Sequence, residues 1–577
     1  LTLDDDSIGL APGSGLQIVG EGSIGGKAQG LAYLNDMLHK ALHLSSAFPD
    51  VSISIPKTLV IASSCFNTFV SEHHLTAMSR EELPDDVVAA NFLKGGLDQD
   101  TQVALRTYLK EHTCPLAVRS SGMLEDSNNH AYAGLYRTYM LSNDQPELER
   151  RLDILVQAVK LVYASTYYQG PKAYAKRVGH HLEAGQMAVI IQHAVGSAHG
   201  EYYYPAISGV AQSRNYYPSA GMKPEEGVAT IALGLGKQVV SGERALRFCP
   251  KYPKRLLQRS TVEETLSYAQ RRFYALKLNA QNSLDIHGRD HVTRRQISDA
   301  LDEEPVKMLA GTYVLAEHRI KDTVQIDGSR VLTFASVLKF DLFPLAKILL
   351  EFLSLGEAAM AVPVEMEFAV DLSPTKERKS RFHLLQMRPM SASEANIKVS
   401  VDLEDRDQAL CYSQHTVGNL AGRQITDIVY VKPEAFDPGK TRIIAKEVAR
   451  INAHIEGQRR QYLLVGPGRW GTADPWLGIP VRWADISNVA AIVETVSDKL
   501  NVEPSIGAHF FHNLVSLGIG YLSVTRQAPD DFNWNWLTAQ KMARETEYVA
   551  HVRLSRPVTL KVDGSTSSGV IKATADA

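Results

Sequence analysis

Two apolar runs near the middle of the chain, PVEMEFAVD (363–371) and FHLLQMRPM (382–390), flank the polar stretch SPTKERKS and constrain the fold more than any other feature. In a strand, residues i and i+2 face the same side. Glu365 and Glu367 therefore point together, while Val364, Met366 and Phe368 point the opposite way. A hairpin through the polar stretch that sets Glu367 opposite Gln386 also sets Glu365 opposite Arg388, placing all four on one face. Such a face is either the solvated side of a half-exposed antiparallel strand or a site built from charge.

The rest of the composition narrows the classes. A chain of 577 residues exceeds one typical core and implies roughly two to four domains. Hydrophobic residues make up 44% and charged residues 22%, and the formal net charge is −3, so no electrostatic bias points to nucleic acid or to an acidic membrane. No apolar run approaches the ~18 residues of a membrane span and no secretory leader opens the chain, which makes a cytoplasmic location the default expectation. Cys65, Cys114, Cys249 and Cys411 lie far apart without zinc spacing and are expected as isolated thiols. The first residue is Leu1 and not Met, so the sequence is compatible with a further N-terminal domain.

Leu31, Leu34, Leu38 and Leu42 behind the glycine-rich GEGSIGGK predict a helix over about 27–44, and SIPKTLVI reads as a strand. Residues 147–178 predict a long helix broken near Gly170 and Pro171. Strands are expected in MAVIIQHAV (187–195), AISGVAQSR (206–214) and GVATIALG (227–234), with no strict strand–helix alternation, which favours α+β lobes. The domain reading is an N-terminal extension over 1–15, a first domain over 16–390, a polar linker over 391–410, a smaller α/β domain over 411–562 and a disordered tail over 563–577.

Two stretches carry phosphate chemistry. GEGSIGGKAQG has the glycines and lysine of a backbone phosphate cradle, but Glu21 lies where the first Walker glycine belongs and Ala28 follows Lys27, so it is no P-loop. On its own it is a phosphate clamp or a flexible helix entry. In LAVRSSGMLEDSNNHAYAG (116–134) a short strand runs into Arg119, whose fork of donors suits phosphate oxygens, although a lone arginine at a strand end is usually a surface residue.

Together these stretches resemble the nucleotide-binding domain of pyruvate phosphate dikinase and phosphoenolpyruvate synthase, an ATP-grasp-like fold. GGKAQGLAYL is similar to the family's GGKgaNLaeL opening, and AVRSSGMLEDSNNHAYAGLYRTYM to its AVRSS-block. VYASTYYQGPKAYAKRVG, MAVIIQHAV, SGVAQSRNYYP, IALGLGKQVVSG and EMEFAVD with FHLLQMRPM follow in the family's order, spanning 16–390. The resemblance implies a two-lobed domain that binds ATP and Mg²⁺. Glu367 and Gln386 would supply oxygens to the metal, and Lys27, Arg119, Gln192, Glu365 and Arg388 would contact the nucleotide. Lys27, Arg119, Glu365 and Arg388 would take part in the transfer itself. Two positions depart from the pattern: Glu365 stands where the dikinases often have Asp, and Lys237 where they usually have Glu.

No clear copy of the family's phosphohistidine domain or pyruvate-binding barrel follows, so phosphoenolpyruvate synthesis by this chain alone is not expected. The acceptor is then a histidine, a domain or protein supplied in trans, or a small molecule. His509, two residues after Gly507 in SIGAHFFHNLVSLGIGYLSV, is the candidate phosphoacceptor, against the reading of His509 and His512 as core histidines. The loop VGPGRWGTADPW, with Arg469, Trp470 and Trp476, is either a ligand-binding loop or a rigid turn. His39 with His43, His73 with His74 and His180 with His181 lack a third ligand and are set aside. The rival to a phosphotransferase is a regulatory module that holds the nucleotide without turnover.

Overall fold

The computed structural model of the chain describes residues 15–573 apart from 42, 124, 126–133, 179–186, 217, 219–221, 257–260, 281–283, 285–290, 374–377, 391–400, 402–405, 407–408, 473, 501, 503–509, 511–513, 515–516, 527–528 and 565. Its elements mix helices with several separate sheets, in keeping with an α+β nucleotide-binding fold.

Two sheets frame the first part of the chain. One has five strands in the order Leu16–Val19, Thr58–Ile61, Met187–His193, Leu116–Gly122 and Thr138–Leu141. The other has six: Leu246–Phe248, Val228–Ala232, Ile207–Gln212, Val364–Asp371, Ser380–Pro389 and Val51–Ser54. The helix Gly25–Lys40 ties them together. Its first half, through Ile24, Ala28 and Leu31, packs with Val60, Ala188 and Ile190 of the five-stranded sheet. Its second half, through Leu34 and Met37, joins the core of the six-stranded sheet around Met366, Phe368 and Leu384. One amphipathic helix thus fixes the spacing of two lobes, and Lys27 sits in its first turn, at the seam.

Local chemistry explains where elements differ from their expected bounds. The first helix ends at Lys40, and a short helix, His43–Ala47, follows. SIPKTLVI divides at Pro56 into Val51–Ser54 and Thr58–Ile61, which enter different sheets, because proline lacks the N–H a ladder needs. The long helix breaks earlier than expected, between Leu148–Ser165 and Gln169–Val178. Gly170 and Pro171 fall in the first turn of the second piece, where the missing N–H of proline costs nothing.

The strands Val364–Asp371 and Ser380–Pro389 form the expected hairpin. Glu365 pairs with Arg388 and Glu367 with Gln386, and a bulge between Glu367 and Phe368 then skips Leu385. The solvated-face alternative fails: the strand is buried on both sides, with Glu365 only 5% exposed.

The C-terminal part is built on one mixed ten-stranded sheet with the helix Thr441–Glu456 packed against it. It corrects the expected tail. Ser568–Lys572 is a strand lying between Val549–Asp563 and Ala409–Ser413, with Val570 and Ile571 buried. The valine and isoleucine of SGVIK put one buried apolar side chain on each face of the sheet, a signal too short to stand out among the surrounding glycine and serine. All four cysteines are free, and no helix among the described residues is long and apolar enough to cross a membrane.

Two half-buried histidines give the fold a pH dependence. His383 accepts or donates a bond to Ser54 Oγ at 3.1 Å, and burial, then the nearby Arg381, pushes its pKa down to about 4. His193, packed edge-on to the His112 ring, is likewise lowered to about 4, first by burial and then by the charge on His112. Both fold as neutral rings, so the unfolded chain takes up the extra protons once the pH drops below the ordinary value of 6.5. Their contribution is complete above pH 6.5 and shrinks as the pH falls towards 4. Urea midpoints measured from pH 7.5 to 4.5 are expected to fall across that window, and the fall is expected to be shallower for His383→Gln.

Candidate nucleotide site at the lobe interface

The site grows from one strand of the five-stranded sheet, two neighbouring strands of the six-stranded sheet and the helix between the sheets. Leu116–Gly122 lies beside the central strand of the five-stranded sheet, with Ser120 opposite Val189 and Ser121 opposite Ala188. At its end Ser121 Oγ donates to the Ile24 carbonyl at 2.8 Å and accepts from the Ala28 N–H at 3.0 Å, pinning the N-terminus of the helix Gly25–Lys40. Gly25 adopts φ +73°, and a Cβ there would lie 1.8 Å from the Ser121 carbonyl oxygen. Only glycine permits that approach.

Lys27 lies on the same strand end. Its ammonium donates to the Ser120 carbonyl at 3.2 Å and forms an ion pair with Glu125. Glu125, 1% exposed, also accepts from Ser120 Oγ at 2.9 Å and from the Gly122 N–H at 3.1 Å. A buried carboxylate is stable only with such partners.

Arg119 closes the distance between the lobes. Its Nη2 donates to Gln386 Oε1 at 2.9 Å and to Glu367 Oε2 at 3.2 Å, and Nη1 reaches the Leu385 carbonyl at 3.4 Å. The bulge that skips Leu385 lies beside this contact. Next along the same face, Arg388 donates to Glu365 Oε1 through Nε at 3.0 Å and Nη2 at 2.5 Å, while Gln212 Nε2 donates to the other oxygen at 2.6 Å. Three cations and three carboxylates are therefore paired at the site: Lys27 with Glu125, Arg388 with Glu365 and, from one sheet to the other, Arg119 with Glu367.

Of the residues singled out in the sequence, Lys27, Arg119, Glu365, Glu367, Gln386 and Arg388 come together here. Gln192 does not join their contacts: it is 2% exposed and its amide donates to Thr58 Oγ1 at 3.1 Å, within the sheet. His509 and His512 lie outside the described residues. Sequence reasoning overlooked Glu125 and Gln212. Glu125 lies four residues past Ser121 in the block that begins at Arg119, a spacing that could have marked it, whereas nothing in AISGVAQSR distinguished Gln212.

Lys237, the departure noted above, opens the short helix Lys237–Val240 and sets its ammonium 5.3 Å from the Tyr274 ring centre. The helix covers the sheet face of Glu367, since Val239 packs with Val210 and Val210 is opposite Glu367. In the tryptophan loop Trp470 is 1% exposed, with its backbone N–H on Glu494, Trp476 is exposed, and Arg469 Nη1 donates to the Gly242 carbonyl at 2.7 Å. The C-terminal part thus grips the segment that follows this helix.

As a metal site the cluster offers hard oxygens. Glu367 and Gln386 present a carboxylate and an amide oxygen to the same guanidinium nitrogen, which is the donor chemistry Mg²⁺ takes alongside substrate phosphates. Among the described residues no group of three or more His, Cys, Asp or Glu side chains is poised to hold a metal alone.

Residues 21–408 match the family model described as pyruvate phosphate dikinase, AMP/ATP-binding domain. A stretch of 190 residues is 25% identical to an uncharacterized phosphotransferase, YvkC, of Bacillus subtilis strain 168. That stretch is 33% of this chain and 20% of the relative.

Proposed function

We infer function from one premise: this chain belongs to the pyruvate phosphate dikinase AMP/ATP-binding family. It acts as an ATP-dependent phosphotransferase that holds Mg·ATP between its two lobes and passes phosphate to a histidine or to an acceptor supplied in trans. The observation that carries this reading is the reach of Arg119 from one sheet to Glu367 and Gln386 on the other, residues 248 and 267 positions away.

The pairing of these charges explains how such a site can await its ligand. A polyanionic nucleotide competes for Lys27, Arg119 and Arg388, each of which already faces a carboxylate. As the cations turn to phosphate, Glu367 is released. Glu367 and Gln386 would hold Mg²⁺, which when bound supplies further neutralisation of the polyphosphate. Lys27 and Arg119 come from the other lobe and stabilise negative charge as it moves between phosphate oxygens. Arg388 is oriented by Glu365, and Gln212 holds that carboxylate in place when the guanidinium turns to phosphate.

Incubation with ATP labelled separately at the β and γ positions tests the reading. Label is expected to leave the nucleotide, onto protein or as free phosphate, and to do so at least about 10²-fold more slowly in Glu367→Ala. Retention of β label marks dikinase chemistry, and retention of γ label marks a simple kinase. Nucleotide that binds and stays intact, equally in both proteins, would establish a regulatory module instead.

A further inference from the structure

A cavity of about 270 Å³ lies where three parts of the molecule meet. Asp85, Arg137 and Tyr168 come from the lobe of the five-stranded sheet, Val240 from the helix covering the other sheet, and Arg482, Trp483 and Phe510 from the C-terminal part. The volume is near the lower end for small-ligand sites.

Its lining is specific. Arg137 is half-buried, stands 5.8 Å from the centre of the Tyr168 ring, and has no carboxylate partner among the described residues. The Tyr168 hydroxyl is buried without a hydrogen-bond partner, although the residue is only 2% exposed. Trp483 and Phe510 stack at 4.7 Å between ring centres and form an apolar wall. Arg482 is held by Asp485 at 3.3 Å and is otherwise exposed. Asp85, the one acid of the lining among the described residues, already accepts from the Gln169 N–H at 2.9 Å. Among the described residues the lining therefore carries two guanidinium groups, one of them held by Asp485, to one carboxylate, with an unmet hydroxyl donor and flat apolar surface.

The cavity stands beside the nucleotide site and is separate from it. The segment carrying Leu135 and Arg137 into the cavity sets Tyr136 between them against Gly122, next to Glu125, the partner of Lys27. Arg482, Trp483 and Phe510 lie beyond residue 408, where the family match ends.

We propose that this cavity is a second ligand site, distinct from the nucleotide site, which takes a small planar anion, an aromatic or similarly flat molecule bearing a phosphate or carboxylate. The flat body lies along the Trp483 and Phe510 wall. The anionic group meets Arg137 and Arg482, with the Tyr168 hydroxyl as an added donor. This inference stands independently of the phosphotransferase reading.

Calorimetric titration of the full chain with phenyl phosphate tests it, with benzyl alcohol as the neutral comparison. Saturable binding of one phenyl phosphate per chain is expected, at least tenfold tighter than benzyl alcohol. It is expected to weaken at least tenfold in Arg137→Gln and several-fold in Arg482→Gln, an exposed change that leaves packing intact. Saturating ATP is expected not to displace it, and Glu367→Gln is expected to retain it. Absence of saturable binding, equal affinity in wild type and both arginine variants, or competitive displacement by ATP would overturn the proposal.

Discussion

Replacing Arg119 by lysine is expected to slow ATP-dependent phosphate transfer at least about 10²-fold while the protein stays folded. The charge is kept, so the loss isolates geometry. The guanidinium reaches Glu367, Gln386 and the Leu385 carbonyl at once, with one nitrogen on two side chains of the opposite sheet. A lysine ammonium is a compact point charge and cannot span the same set with a rigid fork. Arg119 is also partly exposed at the seam, with 14% of its side chain accessible, so lysine can be accommodated without a cavity in the core. Label transfer measured beside circular dichroism separates the outcomes: a rate within a few-fold of wild type would mean that charge alone suffices and that the fork has no part in transfer.

The second large effect is on the backbone. Gly25→Ala is expected to destabilise the protein by about 3 kcal/mol or more, lowering the thermal midpoint by several degrees and weakening nucleotide binding with it. The new methyl would meet the Ser121 carbonyl at 1.8 Å at a positive φ, so two penalties coincide. Ser121 cannot step aside easily, because its strand is laddered to Met187–His193 and its hydroxyl holds Ile24 and Ala28. The helix must move instead, and Lys27 moves with it. Gly96→Ala, where nothing lies within 4 Å and φ is not positive, is the near-neutral control. Equal melting of the two variants would contradict the close approach of helix and strand.

Much of the site was legible because its signals are local. Period-two alternation in PVEMEFAVD and FHLLQMRPM set which side chains share a face, and the hairpin adopted the register in which Glu367 meets Gln386 and Glu365 meets Arg388. What periodicity could not give was the environment of that face. The same alternation suits a strand in water, and only the covering helix Lys237–Val240 and the opposite lobe make it a buried site. The role of Glu125 depends on a long-range contact with Lys27, 98 residues earlier, which no local pattern encodes. Gln192 lies in a strand that matches the family, and its amide donates inside the sheet to Thr58 Oγ1. SGVIK near the C-terminus is hidden for a related reason: a short strand flanked by glycine and serine gains its stability from neighbours about 160 residues back or just before it, Ala409–Ser413 and Val549–Asp563.

The claim on which the account rests is that cations of one lobe and carboxyl and amide oxygens of the other meet at a single triphosphate. Calorimetric titration of ATP into wild type and Arg119→Met, each with Mg²⁺ and again with EDTA, tests it most directly. One site per chain is expected in wild type, at least about tenfold weaker in Arg119→Met and weakened by chelation in wild type. Binding of the same strength in both proteins, indifferent to Mg²⁺, would place the nucleotide elsewhere and contradict the account.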